Sequence, residues 1–299
     1  MTPAAFILVF LSVFLHVAWN FISKSVRPSL AFYMLMTGTS AILWLPFFLA
    51  SDLRLAALPP VFFALLLGSV AAEVLYVAGL AYAYRHSDIS LSYPLVRALP
   101  VLMIVTATLL FGIGQRPGAL ALAGMLVIAI GCVLMPLRRF GDFHLRLYGN
   151  RVIVFILLAA LGTTGYTLAD NRAVALIRTV FDRERALDVL AYVFLIESGL
   201  CLGQMGFVAA IPGERAEFKR LFLRSISPNL AGVCASSAYA LVLLAMRHVT
   251  NVSYIQAFRQ MSLPLGFLAG ILILKESASA PKLAGIALIV AGLALTYLG

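Results

Sequence analysis

The sequence predicts an all-α integral membrane protein of ten transmembrane helices, arranged as two inverted five-helix repeats. Three observations carry that expectation. The 299 residues are 63% hydrophobic and 11% charged, with a mean hydropathy of +1.02. Soluble domains carry roughly a quarter charged residues, and no aqueous fold hides this much apolar surface. Apolar windows of about 20 residues, long enough to cross a bilayer as helices, recur along the whole chain. The chain also repeats itself, because Arg85, His86 and Arg97 return as Arg247, His248 and Arg259 at a common offset of 162 residues.

The windows fall at roughly 4–23, 31–50, 61–83, 89–111, 118–137, 152–171, 187–210, 228–246, 252–274 and 282–298. The first lacks a positive leading region and a small-residue cleavage site, and it carries His16, Trp19 and Asn20. It is therefore expected to remain as the first helix instead of acting as a removable signal. Five spans per repeat is an odd number, so the second copy enters the membrane from the opposite face. The boundary falls in the basic stretch 138–151, giving repeats at 1–140 and 150–299. Residues 173–186 and 211–227 are the other sizeable polar connections, expected at the surface as short amphipathic pieces. Gly124 and Gly131, matched by Gly285 and Gly292, read as seams where helices approach closely. The small-residue runs 68–72 and 232–237 sit at comparable depths, and either pack against neighbours or line a cavity.

The net charge of +10 is scattered over short loops, which fits membrane topology better than nucleic acid. Alternate connections beginning with Lys24 and Arg27 hold 13 Lys and Arg, and the opposite set, beginning with Arg54, holds 7. The positive-inside rule then places the richer set in the cytoplasm and both termini outside. Cys132, Cys201 and Cys234 all fall within spans, with no CxxC pair and no histidine cluster, so neither disulfide nor metal site nor cofactor is expected.

Arg97 and Arg259 lie about seven residues, or roughly 10 Å, into their spans. An arginine at that depth needs water, a carboxylate, backbone carbonyls or an anionic substrate; the alternative is snorkelling to the headgroups. Pro94, Pro100 and Pro264 remove helical hydrogen bonds nearby. Glu73, Asp170 and Glu197 are intramembrane acids. Hydrocarbon surroundings favour a neutral carboxyl that can exchange a proton, which suits proton coupling, while pairing with an arginine would merely hold helices together. His16 and Asn20 share one face of the first helix with Lys24, a stripe that serves either substrate binding or interhelical hydrogen bonding. Tyr93 and Tyr254 flank the repeated arginines and are candidates to touch a ligand, against the common use of membrane tyrosines as interfacial anchors.

The run His16-Val17-Ala18-Trp19-Asn20-Phe21-Ile22-Ser23-Lys24 and the passage from Leu274-Lys275-Glu276 to Pro281-Lys282-Leu283-Ala284-Gly285 stand in this ten-span, five-plus-five pattern. Together they resemble the EamA-type drug/metabolite transporters, over essentially the whole chain. That resemblance implies a central cavity between the halves, formed mainly by the first, third, fourth, sixth, eighth and ninth helices. An acidic residue frequent in the family after the fourth helix of a repeat is matched by Glu276, whereas the first repeat reads Gly112-Ile113-Gly114-Gln115-Arg116.

The leading expectation is a secondary active exporter of small organic metabolites that works by alternating access in a bacterial inner membrane. Its substrate would be amino acid-like or otherwise anionic, with Arg97, Arg259, His16, Trp19, Asn20, Tyr93 and Tyr254 binding it. Glu73, Glu197 and Asp170 would carry coupling protons. Expected partners are the metabolite, membrane lipid and protons, in a monomer or weak homodimer. A flippase for a lipid-linked headgroup and a membrane-embedded lipid-modifying enzyme are the competing classes. No P-loop, HExxH or GxSxG motif is present, so the chain is not expected to be an enzyme or to couple directly to ATP.

Overall fold

The computed structural model describes residues 2–24, 26, 29–86, 89–142, 152–274 and 279–299; side chains are described for these except 24, 84–94, 269–270 and 273–274. The described residues form helices and no strand. In order these are α1 (Pro3–Lys24), α2 (Leu30–Ala50), α3 (Pro60–His86), α4 (Ile89–Phe111), α5 (Ala119–Leu134) and α6 (Val152–Phe181), then α7 (Ala186–Ala210), α8 (Pro212–Arg224), α9 (Ser227–Met246), α10 (Val252–Phe258), α11 (Ser262–Leu274) and α12 (Ala280–Leu298). Seven of them are long and apolar enough to cross a membrane: α1, α2, α3, α6, α7, α9 and α12. Leu95–Phe111 and Ala119–Leu134 add shorter apolar helices. A helix that cannot satisfy its backbone with water must do so internally, and this all-helical, apolar architecture is that of a multi-pass membrane protein.

Two spans depart from their expected form. The sixth runs ten residues further than its apolar window, because Ala173, Val174 and Ile177 continue a buried face through what reads as a polar connection. It ends at Asp182, whose φ of 45° is left-handed, and the Arg183 amide closes back onto the Arg178 carbonyl at 3.4 Å. That is a Schellman-type stop. The ninth span is not one helix: α10 and α11 are separated by a 3-10 turn at Arg259–Met261. Pro264 explains the break, since it has no amide to donate to the Gln260 carbonyl four residues back. The expected amphipathic piece at 211–227 is the helix α8, whereas most of the repeat boundary lies outside the described residues.

The helices pack chiefly in four pairs: α3 with α6, α5 with α12, α2 with α7, and α1 with α9. The α5–α12 seam joins the glycines singled out in the sequence. A Cβ on Gly131 would stand 2.5 Å from the Gly285 carbonyl oxygen, and one on Gly124 would stand 2.6 Å from that of Gly292. Only hydrogen fits between these backbones. Gly131→Val is therefore expected to force the two helices apart, costing about 1–3 kcal/mol and lowering the melting temperature of the detergent-purified protein. Unaltered melting would contradict this packing.

Connections gather at two ends of the bundle. At one end Thr2 donates to the His248 carbonyl, Arg185 reaches Asp52 at 2.7 Å, and the Gln115 amide donates to the Thr250 carbonyl at 3.1 Å. Gly299 packs against Leu120 and Ala121 at this same end, so both chain termini share it. At the other end Glu214 of α8 accepts from the Ala31 amide at 2.9 Å, and Ser279 donates to the Leu137 carbonyl at 2.9 Å.

Candidate functional site

The break in the ninth span is where the polar chemistry collects. Arg97 of α4 is buried, and its Nη2 donates to the Arg259 carbonyl at 2.6 Å and to Ser262 Oγ at 2.8 Å. In return Gln260 Nε2 donates to the Arg97 carbonyl at 3.0 Å. Backbone exposed by the 3-10 turn is thus satisfied by the arginine of the opposite segment, as a buried carbonyl requires. Arg259 is also buried; its Nη1 donates to Gln256 Oε1 at 3.3 Å, and its guanidinium lies 5.9 Å from the Tyr239 ring centroid. Neither cation snorkels. Neither forms an ion pair with a carboxylate among the described residues.

This geometry corrects one inference that an inverted repeat invites. Equivalent positions in oppositely oriented helices would carry the two arginines towards opposite faces of the membrane. Instead α4 and the broken span meet where the arginines sit, so Arg97 and Arg259 line one cavity of about 30 Å³. Ser12, Val13 and His16 of α1, together with Ala238, Tyr239 and Val242 of α9, complete most of its wall. A space of that size holds a water or two and no metabolite.

His16 enters this cavity in a defined form. Trp19 Nε1 donates to His16 Nδ1 at 3.0 Å, which leaves a neutral ring with its proton on Nε2. Trp19 is buried beside Val77 and Ala81, and Asn20 donates to the His16 carbonyl of its own helix at 2.6 Å. Trp19 thus positions the His16 ring, and neither Trp19 nor Asn20 lines this cavity. Tyr254 is also displaced from the expected site, because its hydroxyl reaches the Gly299 carbonyl, at 3.5 Å, at the end of the bundle. Tyr93 belongs to α4 by its backbone, but its side chain lies outside the described residues, as do those of Lys24, Arg85 and His86. Glu276 is outside them altogether.

Asp170 and Glu73 lie near Arg259, and Glu197 lies near Glu73. Asp170 of α6 is fully buried and accepts from Tyr192 at 2.7 Å and, in a short bond, from Tyr239. Tyr239 thereby links the two charges, with its hydroxyl on Asp170 and its ring against Arg259. Tyr166 packs edge-on to Tyr239, with centroids 5.6 Å apart. Glu73 of α3 lies within electrostatic range of Glu197, Asp170 and Arg259. Its Oε2 is buried and meets no hydrogen-bond partner among the described residues. Glu197 is buried on α7. No acid pairs with an arginine here, and Asp170 is held by phenols instead. Tyr192, Tyr239, Gln256, Gln260 and Ser262 were not among the candidates read from the sequence. Gln256 and Gln260, three residues before and one after Arg259, were the available signal: amides rarely sit in a spanning helix without a hydrogen-bonding duty.

No family model and no curated protein matches the chain. It is similar in fold to a solved structure described only as "Crystal structure of protein", at 15% identity, with a TM-score of 0.70, over 100% of this chain and 98% of that one. At that identity the likeness concerns the fold alone.

Proposed function

We propose that the chain is a secondary active transporter of small organic metabolites, an exporter in a bacterial inner membrane, whose substrate is amino acid-like or otherwise anionic. The observation that carries this reading is the convergence of two buried guanidinium groups, with no ion pair to a carboxylate among the described residues, on a cavity at a break in an apolar span. A cation buried without its counter-ion is costly, and an anionic substrate group supplies that counter-ion. Broken helices near the membrane centre serve the same end in transporters, because they offer backbone and side-chain groups that a continuous helix conceals.

Alternating access needs two related halves, and ten crossings in two inverted five-helix repeats supply them. The fourth span and the broken ninth are equivalents under the sequence repeat, and they touch through Arg97 and Arg259. Under the same equivalence the α3–α6 pair corresponds to α9–α1, while α2–α7 and α5–α12 each map onto themselves. A two-fold relation between the halves accounts for that pattern. The end of the bundle that holds both termini is closed between the halves. Asp52 meets Arg183 and Arg185 there, and Asn251 Nδ2 reaches the carbonyls of Ile113 and Gln115 at 3.2 and 2.9 Å. The cavity is also too small for a metabolite. Export then requires those contacts to part. The two Asp52 ion pairs are largely exposed and worth up to about 1 kcal/mol each, whereas the bonds of the buried Asn251 cost more to part.

Purified protein in proteoliposomes tests the reading. Amino acids and small organic acids that raise its melting temperature in detergent are expected to cross the bilayer at a protein-dependent, saturable rate. Chemical conversion of the compound without translocation, or no flux for any stabilising compound, would overturn it.

A further inference from the structure

A second cavity lies far from the arginines, on the membrane-facing side of the bundle. It is about 620 Å³, open laterally, and enclosed by α2, α7, α8 and the start of α9. Its α2 and α7 walls are mostly apolar, with Met34, Leu35, Cys201 and the exposed Ile42 beside Thr39, and Ser225 and Asn229 lie at the α9 side. From Met34 to Ile42 the groove follows α2 for about 12 Å at 1.5 Å per residue. Phe222, Leu223 and Ile226 border it and are 66%, 76% and 69% exposed. Side chains of that kind at such exposure belong in hydrocarbon.

The rim is different. Arg224, the last residue of α8, lines the same groove, is exposed, and forms no ion pair with any described residue. The rest of α8 adds Arg215, Lys219 and Arg220, and its two acids are spent elsewhere. Glu214 is buried and caps the Ala31 amide, and Glu217 binds Arg220. Leu221 is buried beneath the helix, which anchors it along the end of the bundle. An apolar trough leading inward from an unpaired cation at an amphipathic helix matches one amphiphile in charge and shape: a lipid with a phosphate at the interface and a chain in the trough.

We propose that this groove is a binding site for an anionic glycerophospholipid, with its phosphate on Arg224 and one acyl chain along Met34–Ile42. The site is independent of the transport reading, since it shares no residue with the arginine cavity. Native mass spectrometry of the detergent-purified chain, titrated with phosphatidylglycerol or phosphatidylcholine of identical chains, tests it. Phosphatidylglycerol is expected to be retained about tenfold more tightly in a first adduct. Arg224→Gln should bring its retention down to that of phosphatidylcholine. Thr39→Phe, which places a ring in the trough and leaves the cation intact, should weaken retention of both lipids. Arg54→Gln, at the other end of the bundle, should change neither. Equal retention of the two lipids by the native chain would overturn the proposal. So would selectivity that survives Arg224→Gln, an equal loss in Arg54→Gln, or a dimer that excludes lipid.

Discussion

Arg259→Gln is expected to cut affinity for a carboxylate-bearing substrate by roughly a hundredfold, or about 3 kcal/mol, while the melting temperature stays near that of the native chain. The guanidinium of Arg259 lines the cavity, lies 5.9 Å from the Tyr239 ring centroid, and is held by a long hydrogen bond to Gln256 and by one to Tyr166. On the proposed reading its loss removes the charge that meets the ligand and unties no backbone carbonyl. Arg97→Gln should behave differently, although the two arginines are equivalents in the repeat. Arg97 holds the Arg259 carbonyl and Ser262, so its loss unties the broken span and leaves a buried carbonyl less satisfied. Each buried bond from a charged donor is worth about 1.5–3 kcal/mol, so stability and transport should fall together. Arg97→Lys retains charge without the planar fork and should rescue poorly. Ligand-induced melting shifts and flux for the three variants separate these outcomes. Unchanged affinity and turnover in Arg259→Gln would remove the anion site from this cavity.

Glu73→Gln is expected to leave substrate flux measurable but insensitive to an imposed proton gradient. Three carboxyl groups compete for the coupling role, and their surroundings rank them. Asp170 accepts from Tyr192 and Tyr239 and is committed to holding α6, α7 and α9 together. Asp170→Asn should therefore lower stability before it alters coupling, by about 1–3 kcal/mol for the disturbed buried bonds. Glu73 keeps a buried oxygen without a partner, in range of Arg259 and the other two acids. A group with no structural commitment can gain and lose a proton without dismantling its neighbourhood. Glutamine preserves its shape and abolishes the titration. Counterflow and pH-driven uptake in the same vesicles give the readout. A rate in Glu73→Gln that still follows the gradient would assign coupling elsewhere, with Glu197 as the next group to replace.

The positions at which this site would form were partly legible in advance, and particular residues show why only partly. Arg97 and Arg259 stand out because charge inside an apolar window is expensive and because the repeat marks both. Glu73, Asp170 and Glu197 stand out for the same reason. Their partners do not: Tyr192 and Tyr239 lie 22 and 69 residues from Asp170, and nothing local in a tyrosine-bearing helix announces a distant carboxylate. Trp19 and Asn20 stand out as a polar stripe, but such a stripe looks the same in a sequence whether it faces a ligand or its own turn. Their hydrogen bonds, three and four residues apart, are internal to α1.

Helical, membrane-spanning character follows from the sequence alone, because burial of backbone polar groups in hydrocarbon leaves few structures open and an apolar window of sufficient length selects the helix. The spacing of Gly124, Gly131, Gly285 and Gly292 likewise marks a close helix pair before any partner is known. Which helices meet, and at what depth, belongs to the tertiary structure. Proline explains where the ninth span breaks, but only the crossing of α4 with that break brings Arg97 to the Arg259 carbonyl. A one-dimensional pattern records the cost of burying each charge. Its compensation comes from groups far away in the chain, and packing alone decides which ones arrive.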